Sequence, residues 1–286
     1  MGKIQNEHVK PTHDEDRISQ LFAGRYGASD AEMPGYCGQV LDTILGHSTV
    51  RSYLPDPVAE DDIKVAIAAA QSAPSSSMLQ LWNVVTVTDP ARKSRLADLA
   101  NRQKHIYAAP LLMVWICDLS RLRRMTETEG VTADGLDYME LFLTSVVDVT
   151  LAAQNACVAL ESMGYGTCYI GSMRSNPIEL SAELNLPKGA FSVFGLTVGR
   201  ENPDHPASVK PRLPQRTVRH HETFDADKQD QDIETYNATM RIFQEQQNMA
   251  VMNWSLKSAE RVASAEVLKN RDKLRGFLET LGFSFK

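Results

Sequence analysis

Four polar clusters carry the side chains best suited to chemistry, and each falls at a break between apolar runs. They are His47, Thr49 and Arg51; the triplet Ser75-Ser76-Ser77; Gln103-Lys104; and Lys210 with Arg212. A fifth group, Gly171-Ser172 followed by Arg174, closes a short run that starts at Thr167. Arginine and lysine suit a phosphate, hydroxyls a polyol chain, and an amide the edge of a heteroaromatic ring. Glycine at 171 lets a flat ligand approach the backbone, with Arg174 as a nearby positive charge. Singly, each cluster is also what a solvated loop or a helix cap contains. Together they fit a phosphorylated planar cofactor.

Rival signatures fail on their spacing. The segment Gly164-Tyr165-Gly166 is no dinucleotide fingerprint, because no glycine stands three places beyond Gly166 and a strand follows instead of a helix. No GxxxxGK[ST] phosphate loop and no GxSxG elbow occurs, and Ser75-Ser76-Ser77-Met78 lacks the SxxK lysine. His220-His221-Glu222 has no partner in register, and adjacent histidines on an extended chain point apart. No metal site is expected.

The stretch 142–176 organises the elements around these groups. It opens with about twenty residues that are apolar on nearly every face, fit for a domain core or a membrane. Asp148, Gln154, Asn155 and Glu161 interrupt it, which excludes the membrane. Asp148, Asn155 and Ser162 recur at intervals of seven and predict one polar ribbon along a buried helix. Gly164-Tyr165-Gly166 stops that helix, and 167–170 reads as a buried strand leading to Gly171.

Elsewhere the apolar runs 83–88, 111–117 and 191–198 predict three more strands. Helices are expected at 18–26, 40–46, 59–71, 91–100 and 176–187, and a long amphipathic, basic one at about 256–281. Residues 101–105 read as a loop, 121–140 as a solvated helix and loop, and 200–225 as an ordered, proline-rich excursion. Strand and helix alternate without βαβ spacing, so the expected class is α+β: a small sheet wrapped by helix.

Composition narrows the function classes. A net charge of -6 over 286 residues, with no flooded basic face, argues against nucleic acid. With 43% hydrophobic and 23% charged residues the chain is ordinary globular material. Cys37, Cys117, Cys157 and Cys168 form no CxxC pair, three of them lie in apolar runs, and no secretory signal opens the chain. A cytoplasmic protein is expected.

The segments HSTVR, SAPSSSMLQ, RQKH, VVDVTLAAQNACVALESMGYGTCYIGSMRSN and FGLTVG…KPRLP…HE resemble, in this order, the nitroreductase superfamily. They are most similar to its oxygen-insensitive major nitroreductase and NADPH–flavin oxidoreductase branch. The resemblance implies a nitroreductase-like α+β fold with a central, mostly antiparallel sheet in an intertwined homodimer, one FMN per subunit at the interface. It implies an N-terminal extension over 1–38, partly disordered or helical, an FMN-binding core over 39–230, and a C-terminal arm over 231–286 on the partner. The implied activity is ping-pong transfer of two electrons from NADH or NADPH to nitroaromatics, quinones or free flavins. A flavin destructase, a dehalogenase of the same fold and a non-enzymatic flavin-binding protein are the alternatives.

Carried over by position, His47, Lys210 and Arg212 resemble the phosphate ligands, and Thr49 in HSTVR and Ser76 in the serine triplet are also expected to bind the cofactor. Arg51 and Gln103 resemble the groups on the pyrimidine edge. Ser75 and Ser77 match positions supplied by the partner chain. Tyr169, Ile170, Gly171 and Ser172 match the backbone passing flavin N5, and Arg174 and Arg271 match basic residues near the substrate pocket. Flavin N5 carries the chemistry, so no catalytic protein residue is expected. Departures are Ser48 for a common arginine, Ser172 for a glycine, Ser175 for an asparagine, and a loop at 244–253 without Arg or Lys.

Overall fold

The computed structural model describes residues 15–27, 38–227 and 229–286. The expectation for the first fourteen residues, and Cys37, lie outside that range. The helices are α1 (Glu15–Tyr26), α2 (Gln39–Gly46), α3 (Glu60–Gln71), α4 (Pro90–Leu99), α5 (Lys104–Ala108) and α6 (Ser120–Glu129). They continue with α7 (Met139–Ser162), α8 (Pro177–Glu183), α9 (Gln215–Val218), α10 (Gln229–Gln246), α11 (Trp254–Glu260) and α12 (Leu274–Thr280). The strands are β1 (Trp82–Val87), β2 (Leu111–Asp118), β3 (Gly166–Ile170) and β4 (Ala190–Gly199). Two compact units result. One joins residues up to His47 with Val209–Glu260, and the other joins Ser48–Ser208 with Arg261–Lys286.

The second unit is built on one sheet in the order β1-β2-β4-β3, with every pair antiparallel. All eight residues of β2 are buried, so its alternating side chains serve two cores. Leu111, Met113, Trp115 and Cys117 pack on the side of α3 and α7, while Leu112, Val114 and Ile116 face Leu96, Ala97, Ile106 and Leu180. A strand apolar on both faces reads as a continuous hydrophobic run, which is why it stands out in the sequence.

Helix α7 supplies the floor. Val149, Ala152, Ala153, Ala156 and Leu160 are fully buried, and small residues there let α3 and the sheet come close. By length and composition α7 is apolar enough to cross a membrane, yet this face is occupied by the protein's own core. Its other face leaves Leu143, Val147 and Leu151 exposed at four-residue spacing.

The polar ribbon on α7 is real but differently composed. Asp148, 2% exposed, accepts from Ser75 Oγ at 2.7 Å, Ser76 N–H at 3.1 Å and Leu81 N–H at 3.2 Å. Asn155 donates to Ala69 O at 3.1 Å, and Ser145 Oγ donates to Leu81 O at 2.7 Å. Ser162 faces solvent and bonds only the Ala159 carbonyl of its own helix. The ribbon therefore runs 145, 148, 155 and fastens the α3–β1 connection at both ends.

Two expectations are corrected. The loop read at 101–105 turns into α5 from Lys104, one short turn buried through His105 and Ile106. The single helix expected over 256–281 is broken: left-handed Lys269 (φ 52°) and Asn270 (φ 72°) separate α11 from α12. Asn270 Nδ2 donates to Ser175 O at 2.7 Å, so a tertiary hydrogen bond outweighs the amphipathic period there.

Candidate active site

In the sheet unit, the turn after β3 gathers the predicted residues. Ile170 is buried at the strand end, and Tyr169 is partly exposed with its ring edge-on to Phe194 at 5.1 Å. Burial pushes the Tyr169 hydroxyl well above the usual tyrosine range. Gly171 then bends the chain into a turn through Arg174. A Cβ on Gly171 would meet Arg174 Nη2 at 3.4 Å and Arg271 Nη1 at 3.9 Å, and no backbone.

The two guanidiniums thus converge beside Gly171. Arg174 Nη1 donates to Val193 O, and Arg271 Nε donates to Leu268 O at 2.8 Å. No carboxylate forms an ion pair with either among the described residues. Burial, with Arg271 second, holds the Arg174 guanidinium below its ordinary value. Two like charges held together without a counter-ion make a place where negative charge is welcome.

Gln103 caps α5 and donates to Ser172 Oγ, which joins two predicted residues from separate segments. His105, two residues on, is buried with Nε2 3.9 Å from Cys168 Sγ. Burial, with Arg51 second, keeps it below the usual histidine value and so neutral at pH 7. Arg51 itself is exposed. Val50 N–H donates to Thr167 O at 3.0 Å, and Thr49 bridges Thr167 in parallel, so β3 carries the 49–51 segment.

The serine triplet is held by its own chain. Ser75 is bound by Asp148 and accepts Gln80 N–H at 2.8 Å, while Ser76 and Ser77 are exposed. Ser77 (φ 49°), Met78 (φ 55°) and Gln80 (φ 51°) are all left-handed without being glycine. Such strain, of the order of 1–3 kcal/mol per residue, persists where surrounding contacts enforce it, and it clusters at ligand clamps.

The other unit assembles the predicted phosphate group. His47 caps the C-terminus of α2, Lys210 is half-buried and Arg212 exposed. Arg25 of α1 donates to the backbone carbonyls of both His47 and Lys210, at 2.6 and 3.2 Å. Arg25, Ser145 and His105 carry no local signal that singles them out, because each acts through a tertiary contact. In the same unit the loop ahead of α11 is pinned by Gln244, which is buried. Met249 N–H donates to its carbonyl at 2.8 Å and Met252 N–H to its Oε1 at 2.9 Å. Arg241 is turned to Asn253 Oδ1 at 3.0 Å, and Met249, Val251 and Met252 are exposed.

Residues 44–200 match the Nitroreductase family and 210–286 the Nitroreductase family C-terminal domain, and the chain belongs to that family. A Cr(VI) reductase of Pseudomonas sp. (strain G-1) is 35% identical over 249 residues, 86% of this chain and 100% of that protein. The NADPH-flavin oxidoreductase of Vibrio harveyi is 32% identical over 246 residues, covering 85% of this chain and 98% of its own. The solved structure of B. megaterium NfrA2 superposes with a TM-score of 0.82 at 32% identity, over 87% of this chain and 100% of that one.

Proposed function

We propose that the protein is an FMN-dependent NAD(P)H oxidoreductase that delivers two electrons to small-molecule acceptors: quinones, nitroaromatics, free flavins or an oxidised metal oxyanion. The observation that carries the reading is the turn after β3, where Gly171 leaves its backbone open beside two guanidiniums that form no ion pair with a carboxylate among the described residues. When bound, FMN supplies the two-electron relay between nicotinamide and acceptor.

The donor set fits that group. His47, Lys210 and Arg212 hold the phosphate, since two of them are cationic and the imidazole of the third offers a ring N–H donor. Arg51 and Gln103 hold the pyrimidine edge, and Arg51 stabilises negative charge there. The main chain from Tyr169 to Ser172 would pass the ring of the bound group, and Arg174 and Arg271 would orient an acceptor with negative or electron-rich groups. None of these side chains has to exchange a proton for electrons to pass. Nicotinamide and acceptor use the same place in turn, which makes the kinetics ping-pong.

The protein acts as a homodimer. Leu143, Val147 and Leu151 form an apolar stripe on α7 that water does not favour, and Ser75 and Ser77 reach the partner's cofactor. Of the C-terminal arm expected over 231–286, the part up to Glu260 is left to embrace the partner, because 261–286 places Leu278 and Phe283 in the core of its own chain. The experiment is direct. Purified protein is yellow, releases FMN and not FAD on heating, and oxidises NADH or NADPH with menadione or nitrofurazone. A colourless protein that ignores added FMN overturns the reading, and an FMN-loaded protein that no nicotinamide reduces makes it a binder instead of an enzyme.

A further inference from the structure

The Nitroreductase family pattern begins at residue 44, and α1 lies before it. Its last turn holds Arg25, 5% exposed, a cation that the proposed function does not use. The Arg25 guanidinium donates to Leu45 O from Nε at 3.1 Å and Nη2 at 2.9 Å. Nη2 also donates to His47 O at 2.6 Å, and Nη1 to Lys210 O at 3.2 Å. The main chain closes the circuit, because Arg25 O accepts the Arg212 N–H at 2.7 Å.

Both anchored segments take backbone support from Arg25. Helix α2 has no basic residue in its last turn, and its final carbonyls need donors from outside. The 209–214 segment is neither helix nor strand, and Pro211 and Pro214 have no N–H to place in a ladder. Besides Arg25, Tyr236 helps by donating its hydroxyl to Pro211 O at 3.0 Å. Packing seats α1 against α2: Ile18 is 3% exposed, and Arg17 pairs with Asp42 at 2.5 Å.

We infer that Arg25 is a positioning residue for phosphate recognition: from a helix outside the family pattern, its guanidinium sets the spacing of His47, Lys210 and Arg212. The inference rests on the FMN reading above. A planar fork with several fixed donors reaches the carbonyls of 45, 47 and 210 together, whereas a lysine ammonium is one point on a flexible stem. Buried and already bonded to carbonyls, Arg25 does not itself grip the phosphate. It fixes the main chain from which the gripping side chains project.

The test uses Arg25→Lys and Arg25→Gln in the full chain. Fluorescence titrations with FMN and with riboflavin, which has the same ring and polyol but no phosphate, are compared with the parent. The parent is expected to prefer FMN. Both variants lose about tenfold or more of their FMN affinity, while riboflavin affinity changes by less than about twofold. An equal fall for both ligands makes Arg25 a general structural residue and overturns the inference. So does unchanged FMN binding in Arg25→Lys, the variant that decides if Arg25→Gln does not fold. A parent that binds the two flavins equally refutes the phosphate assignment itself, and that result is read before any variant is made.

Discussion

Replacing Gly166 by alanine is expected to damage both stability and cofactor binding, through one contact. Gly166 opens β3 opposite Gly199. A Cβ there would lie 2.6 Å from Val50 Cγ2, 2.7 Å from Val50 Cβ and 2.8 Å from Val50 Cγ1, where carbon atoms rest comfortably at about 3.5–4.0 Å. Turning the Val50 side chain does not relieve this, because its Cβ is struck as well as both methyls. The backbone of 49–51 has to retreat by roughly 1 Å, against the Val50–Thr167 hydrogen bond and the packing of Val50 with Tyr53 and Ala109. Overpacking a closed site costs about 1–3 kcal/mol, and a clash with main-chain-bound atoms belongs at the upper end. Because Thr49 and Arg51 travel with Val50, FMN affinity falls too. Urea unfolding at one fixed protein concentration, with and without FMN, measures both effects. Gly276→Ala is the control: nothing lies within 4 Å of its added methyl, and inside α12 it gains about 0.5–1 kcal/mol. A Gly166→Ala protein within about 0.5 kcal/mol of the parent refutes the packing argument. A destabilised variant with parental FMN affinity refutes the link from β3 to the 49–51 segment.

Other outcomes follow from the same geometry. Arg212→Ala loses tenfold to a hundredfold in FMN affinity, about 1.5–3 kcal/mol, with little change in folding. Its side chain is exposed and bonds only nearby carbonyls, so unchanged binding in a flavin titration would return it to the solvated surface. His105 is held below its ordinary 6.5 by burial, and the unfolded chain takes the proton first. Its share of stability is complete above about 6.5 and declines as the pH drops toward the folded value. His105→Gln therefore flattens the fall in unfolding free energy below about pH 6.5, and parallel curves for parent and variant would contradict the assignment. The loop before α11 offers no cation to a 2′-phosphate and Arg241 is turned to Asn253, so kcat/KM for NADH equals or exceeds that for NADPH. An NADPH preference above about a hundredfold, roughly 2.7 kcal/mol, would mean that a basic group elsewhere does that work.

The sheet was legible in the sequence because its strands are short apolar runs bounded by glycine and proline. Each of the four strands lies within two residues of its apolar run, whereas the antiparallel pairing was implied by the family resemblance and not by the runs themselves. The long helix was legible from its length and its polar ribbon. Where residues act through distant backbone, the pattern was silent. Ser145 looks like any helix serine until Leu81 O lies against it, and Arg25 like any surface arginine until it caps α2. The broken C-terminal helix shows the limit from the other side. The period over 256–281 is amphipathic and uninterrupted by proline, yet Lys269 and Asn270 are left-handed, and Asn270 makes a tertiary hydrogen bond to Ser175 O there. Left-handed Ser77, Met78 and Gln80 carry no glycine to announce them.

The complete burial of β2 sets an order of events during synthesis. The strand leaves the ribosome with only β1 before it, and its second neighbour, β4, begins about 70 residues after β2 ends. At about 5–20 residues per second, eight residues with no solvent-tolerant face wait roughly 4–15 s for a partner. An unpaired apolar edge is a template for other chains. Nascent chains arrested near residue 185 are therefore expected to recruit holdase chaperones or to aggregate, and chains extended past Gly199 to escape both. Equal solubility of the two arrested lengths in a translation extract would remove the argument.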